Sequence, residues 1–194
     1  MQTDSTEAPA APPRRHHFTV ADAHRMVAMG MLASAGAVEL IDGDIIDRAP
    51  MSPARCDLLL RLEGLLSRAV GTAARVVRHT AIGLGADCEP RPDVMVLRGR
   101  PGERAGAAVA EDLVLVIEVS EAGHYDYDHK VPCYARHGVA EIWLFDLARA
   151  TVHFFRAPAD GQYTDEIATD RPGVIFLPGL TDTAVDLRGT LPTA

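Results

Sequence analysis

The sequence predicts an α/β layered fold, a mixed central sheet flanked by helices. Three observations carry this. "LVLVIEVS", from Leu113 to Ser120, is an apolar run of strand length, broken only by Glu118 and the closing serine. Such a run marks a strand covered on both faces. "PARCDLLLRLEGLLSRAVG", from Pro53 to Gly71, sets Leu58, Leu59, Leu62, Leu65, Leu66 and Ala69 at the spacing of an amphipathic helix. Strand-like and helix-like segments then mix through the middle of the chain, the pattern of a layered α/β domain.

Each element has a local reason. Thr19 with Asp22 three residues on forms an acidic capping box and opens a helix to about Leu32. "VELIDGDIID" places two β-rich segments around Asp42-Gly43, a strong hairpin signal. Pro53 opens the long helix and Gly71 closes it. "ARVVRH" and "RPDVMVLRG" read as strands, the second ended by Gly99, and "RPGERAGAAVAED" reads as a loop before the apolar strand. A helix follows from about Asp126 to Arg136, with Pro132 in its first turns, where proline is tolerated. "EIWLFDL" is a fourth strand and "TVHFFR" its hairpin partner, and the stretch from Gln162 to Leu187 reads as short β segments.

The 194 residues suffice for one well-buried domain. The expected division is a disordered Pro/Ala-rich lead-in over residues 1–17 and a single domain over 18–190. Hydrophobic residues make up 47% and charged residues 24%, the balance of a soluble protein. The longest mostly apolar stretch, Met26 to Val38, is broken by Gly30, Ser34 and Gly36 and falls short of a membrane span. Cys56, Cys88 and Cys133 are far apart and form no CxxC pair. They support neither a disulfide framework nor a zinc ribbon, and a reducing, cytoplasmic setting fits them. The net charge of −8 argues against a protein that coats duplex DNA by charge. It leaves open an enzyme that reaches phosphates through bound metal ions.

Three residues carry the chemistry. Asp93 starts a strand at a sheet end, where its carboxylate faces a cleft or simply initiates the strand. Glu118 ends the most buried strand, where a carboxylate needs a metal or a basic partner. Lys130 is the only lysine in the chain. It is either a surface helix residue or a compact charge aimed at a water or a phosphate oxygen. His124 and His129 flank two aspartates, but their i, i+5 spacing does not put both on one helix face, which argues against zinc. No GxSxG, Walker loop or HExxH motif is present. Together, two acids on successive strands and a nearby lysine make a kit for metal-dependent phosphodiester hydrolysis, in which the acids hold Mg²⁺ or Mn²⁺.

"VELIDGDI", "MSP", "RPDVMVL", "LVIEVSE", Tyr125-Asp126, Lys130, "YARHGVAEIWLFDL" and "FFRAPADGQY" follow one another in an order that resembles the Uma-two family of putative restriction endonucleases, within the PD-(D/E)XK nuclease superfamily. The resemblance runs from Phe18 to Leu187 and is most specific from Glu118 to Leu147. It implies a restriction-endonuclease-like core with an N-terminal helix and hairpin and C-terminal β segments. It implies a Mg²⁺-dependent endonuclease acting on nucleic acid, with DNA the first choice, and a homodimer for double-strand cutting. By resemblance Asp93 and Glu118 are metal ligands, Lys130 is the catalytic lysine, and Ser120 and Asp126 are supporting residues. The superfamily's usual lysine slot, two residues after the second acid, holds Ser120, and the family moves the lysine into the following helix. Near Arg55 and Cys56, where the family often has a histidine, this chain has none, and His79 stands where a glutamine is common. A second reading keeps the fold without catalysis: a binding or structural module.

Overall fold

The computed structural model describes residues 15–32, 38–99, 108–121 and 124–191. Most of the expected lead-in, and most of the expected loop after Gly99, lie outside these residues. The chain builds a six-stranded mixed sheet in the order β3-β4-β5-β6-β7-β8, with two small two-stranded sheets beside it. Its strands are β3 (Ala74–Arg78), β4 (Val94–Arg98), β5 (Leu113–Ser120), β6 (Glu141–Asp146), β7 (Thr151–Ala159) and β8 (Gln162–Thr169). Only β5 and β6 pair in parallel, and a helical crossover joins them. No described helix is long and apolar enough to cross a membrane.

Helix α1 (Val20–Ala28) has the expected capping box between Thr19 and Asp22. It ends before Leu32, because Met29 closes it and Gly30 turns into positive φ. The hairpin β1 (Val38–Ile41) and β2 (Asp44–Asp47) turns at Asp42 and Gly43, both with φ > 0 as a tight I′-type turn needs. A Cβ on Gly43 would stand 2.6 Å from the Cβ of His17, so only glycine fits there.

Helix α2 (Pro53–Val70) is capped by Ser52, whose Oγ accepts from the Arg55 N–H. Its buried face, Leu58, Leu59, Leu62 and Leu66, packs on Val94, Val96, Leu115, Ile117, Val119, Trp143 and Phe145 of the sheet. The other face is covered by Val131 and Tyr134, which meet Met95, Val116, Ile142, Leu144 and Phe155. This double cover explains why every residue of β5 is buried and why its sequence lacks polar alternation.

The crossover expected as one helix has two parts. Asp126–Lys130 forms a π-helical turn, and α3 (Val131–Arg136) continues from it. The Val131 N–H bonds back to the Asp126 carbonyl, the wide i→i+5 pattern. The region after Gln162 is also more ordered than short β segments. β8 is a full strand paired with β7, and only β9 (Val174–Phe176) and β10 (Ala184–Asp186) are short. The sequence understates the length of β8 because, as a sheet edge, it is mostly exposed and its polar residues carry no buried face. The cysteines also depart from expectation. Cys88 and Cys133, 45 residues apart, form a disulfide; a pair this distant in sequence leaves no spacing signal.

Leu62 is fully buried between α2 and the sheet. Leu62→Ala should lower the unfolding free energy by about 2–5 kcal/mol, the usual cost of truncating a buried leucine. Urea titration followed by circular dichroism checks this; a loss well below the range would mean that α2 is loosely packed.

Candidate functional site

The site forms where the C-terminal end of β5 meets β1, the start of β4 and the π-helical turn. Strand alternation sets the direction of each β5 side chain. Leu115, Ile117 and Val119 belong to the layer under α2, while Val116 belongs to the layer under α3. Glu118 shares the side of Val116 and reaches the crossover. There the Tyr134 hydroxyl donates to Glu118 Oε1 at 2.6 Å, and Lys130 Nζ lies 2.7 Å from the same oxygen.

Lys130 is 3% exposed. A buried ammonium is tolerable only among acceptors, and three carboxylates supply them: Glu118, Glu39 Oε2 at 3.2 Å and Asp126 Oδ1 at 3.8 Å. Asp126 opens the π turn and Lys130 ends it. Glu39 lies in the fully buried strand β1, and its Oε2 also accepts from the Arg91 N–H at 3.1 Å.

Asp93 is completely buried. Its Oδ2 accepts from the Val119 N–H at 2.8 Å, which ties the start of β4 to the residue after Glu118. Arg55, in the first turn of α2, places its NH2 nitrogen 2.8 and 2.9 Å from the two Asp93 oxygens. Arg48 donates to Oδ1 at 3.4 Å, and His79 Nδ1 stands 3.8 Å from it. His79 takes φ 49°, and burial and the neighbouring Arg48 and Arg78 hold its imidazole below the ordinary histidine value despite the pull of Asp93.

A cleft of about 380 Å³ opens above these groups, lined by Glu39, Arg48, Arg55, Ser120, Asp126 and Lys130 among others. Asp93 and Glu118 lie beneath its lining, covered by Arg55 and Lys130. A second cleft, of about 480 Å³, shares Ser120 and is lined further by His124, Tyr127, Asp146, Arg149 and His153.

The electrostatics follow from crowding acids in a dry place. Burial pushes the Glu118 carboxyl up to about 8, against the pull of Lys130 and with help from Asp93, Asp126 and Glu39. Burial likewise raises Asp126. Lys130 is desolvated too, but the acids around it outweigh burial and hold it as a cation. Lys130 thus serves Glu118, Glu39 and Asp126, while Arg55 and Arg48 serve Asp93. An all-carboxylate donor set suits a hard divalent cation such as Mg²⁺ or Mn²⁺. The other candidate metal group among the described residues, Cys88, Cys133 and His137, has soft donors and two of its members bonded to each other.

The structure therefore brings Glu118, Lys130 and Asp126 into direct contact and sets Asp93 and Ser120 beside them. His124 and His129 do not converge: His124 Nε2 meets Arg149 at 2.8 Å, and His129 packs at a tilt against the Tyr125 ring. Sequence reasoning missed Glu39, Arg48 and Tyr134. A charged residue in the middle of the apolar "VELI" was the available signal for Glu39. Nothing local marked Arg48 or Tyr134, since their roles depend on partners 45 and 16 residues away.

Comparison with known proteins agrees with this architecture. The Uma2 family, described as "Putative restriction endonuclease", matches residues 22–188. A solved structure titled as a putative nuclease belonging to DUF820 from Anabaena variabilis ATCC 29413 is similar at 18% sequence identity. It covers 83% of this chain and 89% of its own, with a TM-score of 0.63. At that identity the likeness speaks for the fold. No curated protein matches the chain.

The raised Glu118 carboxyl has a consequence for stability. Its folded value, about 8, exceeds the ordinary 4.5, so the fold disfavours the charged form. The favourable contribution of the neutral acid is present below pH 4.5 and is lost as pH rises through 8. Without metal, wild type should lose melting temperature between pH 5 and 8.5 more steeply than Glu118→Gln, which cannot ionise. Differential scanning calorimetry across this window checks it; parallel profiles would show that Glu118 is ionised beside Lys130 throughout.

Proposed function

Because the chain belongs to the Uma2 family of putative restriction endonucleases, we propose that it is a metal-dependent endonuclease of the PD-(D/E)XK kind. Its reaction is phosphodiester hydrolysis in nucleic acid, with DNA as the substrate; the cytoplasmic setting follows from that substrate and not from the cysteines, two of which are paired. The observation that carries this reading is the meeting of Glu118 and Lys130 at 2.7 Å at the end of β5, with Asp93 bonded to the adjoining Val119 N–H.

In this reading Asp93 and Glu118 hold Mg²⁺ or Mn²⁺. A bound divalent ion supplies an acidified water and neutralises charge on the phosphate. The chain's own groups do the rest. Lys130 stays cationic because Glu118, Glu39 and Asp126 surround it. It therefore cannot take a proton from water; its ammonium donates, orienting the attacking water or stabilising the charge that develops on phosphate. Asp126 and Glu39 keep Nζ in place from the cleft side. Ser120 stands in the lining of both clefts, at the point where a strand of nucleic acid would pass between them. Double-strand cutting needs two such sites, so a homodimer and a single catalytic domain over residues 18–190 belong to the same reading.

The second reading, a nuclease-fold module acting as a binding or structural partner, is favoured by one observation. Asp93 already has a cation, Arg55, on both oxygens. Plasmid nicking by purified protein with and without Mn²⁺, beside Mn²⁺ calorimetry, separates the two. The nuclease reading expects metal-dependent nicking that Asp93→Asn abolishes together with Mn²⁺ binding. If wild type neither nicks nor binds Mn²⁺, the module reading stands.

Lys130→Ala should cut the nicking rate by about 10²–10³, the loss of one preorganised charge stabiliser. It should also destabilise the metal-free protein by about 3–5 kcal/mol, because three carboxylates lose their shared partner. Lys130→Arg should recover stability more than rate, since a planar guanidinium places its charge differently. Melting curves and nicking rates on the two variants check this; full recovery of rate in the arginine variant would remove Lys130 from catalysis.

A further inference from the structure

We propose that Arg55 is the placeholder for the metal: its guanidinium holds the Asp93 carboxylate in the metal-free protein, and a divalent cation binds by displacing it. The proposal rests on the reading of Asp93 as a metal ligand and adds a residue that sets the affinity of that ligand.

The first support is how Arg55 grips its partner. A structural arginine–carboxylate pair usually sets two nitrogens against two oxygens. Here one nitrogen, NH2, spans both oxygens at 2.8 and 2.9 Å, as a single cation would. The Nε–H of Arg55 is buried and has no acceptor among the described residues. A buried donor without a partner is costly, so the present position of the guanidinium is not its best-satisfied one.

The second support is freedom to leave. Arg55 sits in the first turn of α2 and lines the cleft. Its backbone N–H is fixed by Ser52 Oγ, and Ser52 in turn bonds Glu121 just after β5. The helix end is therefore anchored independently of the side chain, which can swing into the cleft without unfolding a turn.

The third support is the contrast with Lys130. Lys130 has three carboxylates and keeps two if Glu118 turns to a metal. The side-chain hydrogen bonds of Arg55 among the described residues all go to Asp93. A metal taking Asp93 removes both of these hydrogen bonds and repels the guanidinium, leaving it only the longer-range pull of Glu118 and Asp126. Asp93 itself remains oriented by the Val119 N–H, which does not compete with a cation.

A competing internal cation lowers apparent metal affinity by the fraction of molecules in which the site is clear. Removing it should tighten binding on the order of ten- to a hundredfold, the equivalent of one charge-assisted hydrogen bond. The experiment is Mn²⁺ calorimetry on the full chain as wild type, Arg55→Gln, Arg55→Lys and Asp93→Asn, with melting temperatures in chelator and in saturating Mn²⁺. Arg55→Gln should bind Mn²⁺ more tightly than wild type, melt lower in chelator, and gain more from Mn²⁺. Arg55→Lys keeps the charge and so the fold, but its side chain is shorter and its ammonium more strongly hydrated; it should show a smaller gain in affinity than Arg55→Gln. Equal or weaker Mn²⁺ binding in both Arg55 variants, with wild type binding and Asp93→Asn silent, would overturn the placeholder and leave the metal site standing. Mn²⁺ binding by none of the proteins, or unchanged by Asp93→Asn, would overturn the metal site and the placeholder together.

Discussion

A lysine ammonium buried among carboxylates is the interaction on which the rest of the site depends. Lys130 is almost wholly enclosed, and moving a charge out of water costs several kcal/mol unless partners meet it. Glu118 comes from the central strand, Glu39 from the first hairpin and Asp126 from the same helical turn. One cation thereby fastens three pieces of chain to each other. The π-helical turn from Asp126 to Lys130 belongs to this fastening, because both its ends contribute a charged group to the cluster. Wide turns of this kind are inserted where a side chain must be aimed, at some loss of hydrogen-bond quality.

The apolar sheet makes these charges matter. Tyr134, itself fully buried, donates to Glu118 and packs with Val116, Ile142 and Phe155. A low local dielectric strengthens each attraction and each repulsion. That is why Glu118 titrates far above its ordinary range despite a cation at 2.7 Å. A core chosen for stability alone would not gather Glu39, Asp93, Glu118 and Asp126 at one strand end. Burial raises both Glu118 and Asp126 beside a cleft, and perturbed acids gathered at a cleft mark a candidate functional site.

Arg55 and Lys130 stand as a pair of internal counter-ions, one over each strand's acid. They differ in how firmly they are held, and that difference follows from the number of partners rather than from charge. The nearby second cleft, with Arg149 braced by Asp146 and touching His124, continues the surface past Ser120.

The sequence by itself determined the elements whose residues share one local environment. The capping box at Thr19 and Asp22, the Asp42-Gly43 turn, the leucine face of α2 and the unbroken apolar run of β5 all report on neighbours within a few positions. Asp93, Glu118 and Lys130 were also legible, because an acid ending an apolar strand and a lone lysine contradict their surroundings. The full length of the edge strand β8 was not, since a mostly exposed strand has no buried periodicity to read. Only the tertiary structure decided which charges meet. Arg55 found Asp93 across 38 residues, Lys130 found Glu39 on a separate hairpin, and Cys88 found Cys133. Pairings of that range depend on how helix, hairpin and sheet pack in space, and no local pattern of residue types encodes the distance between them.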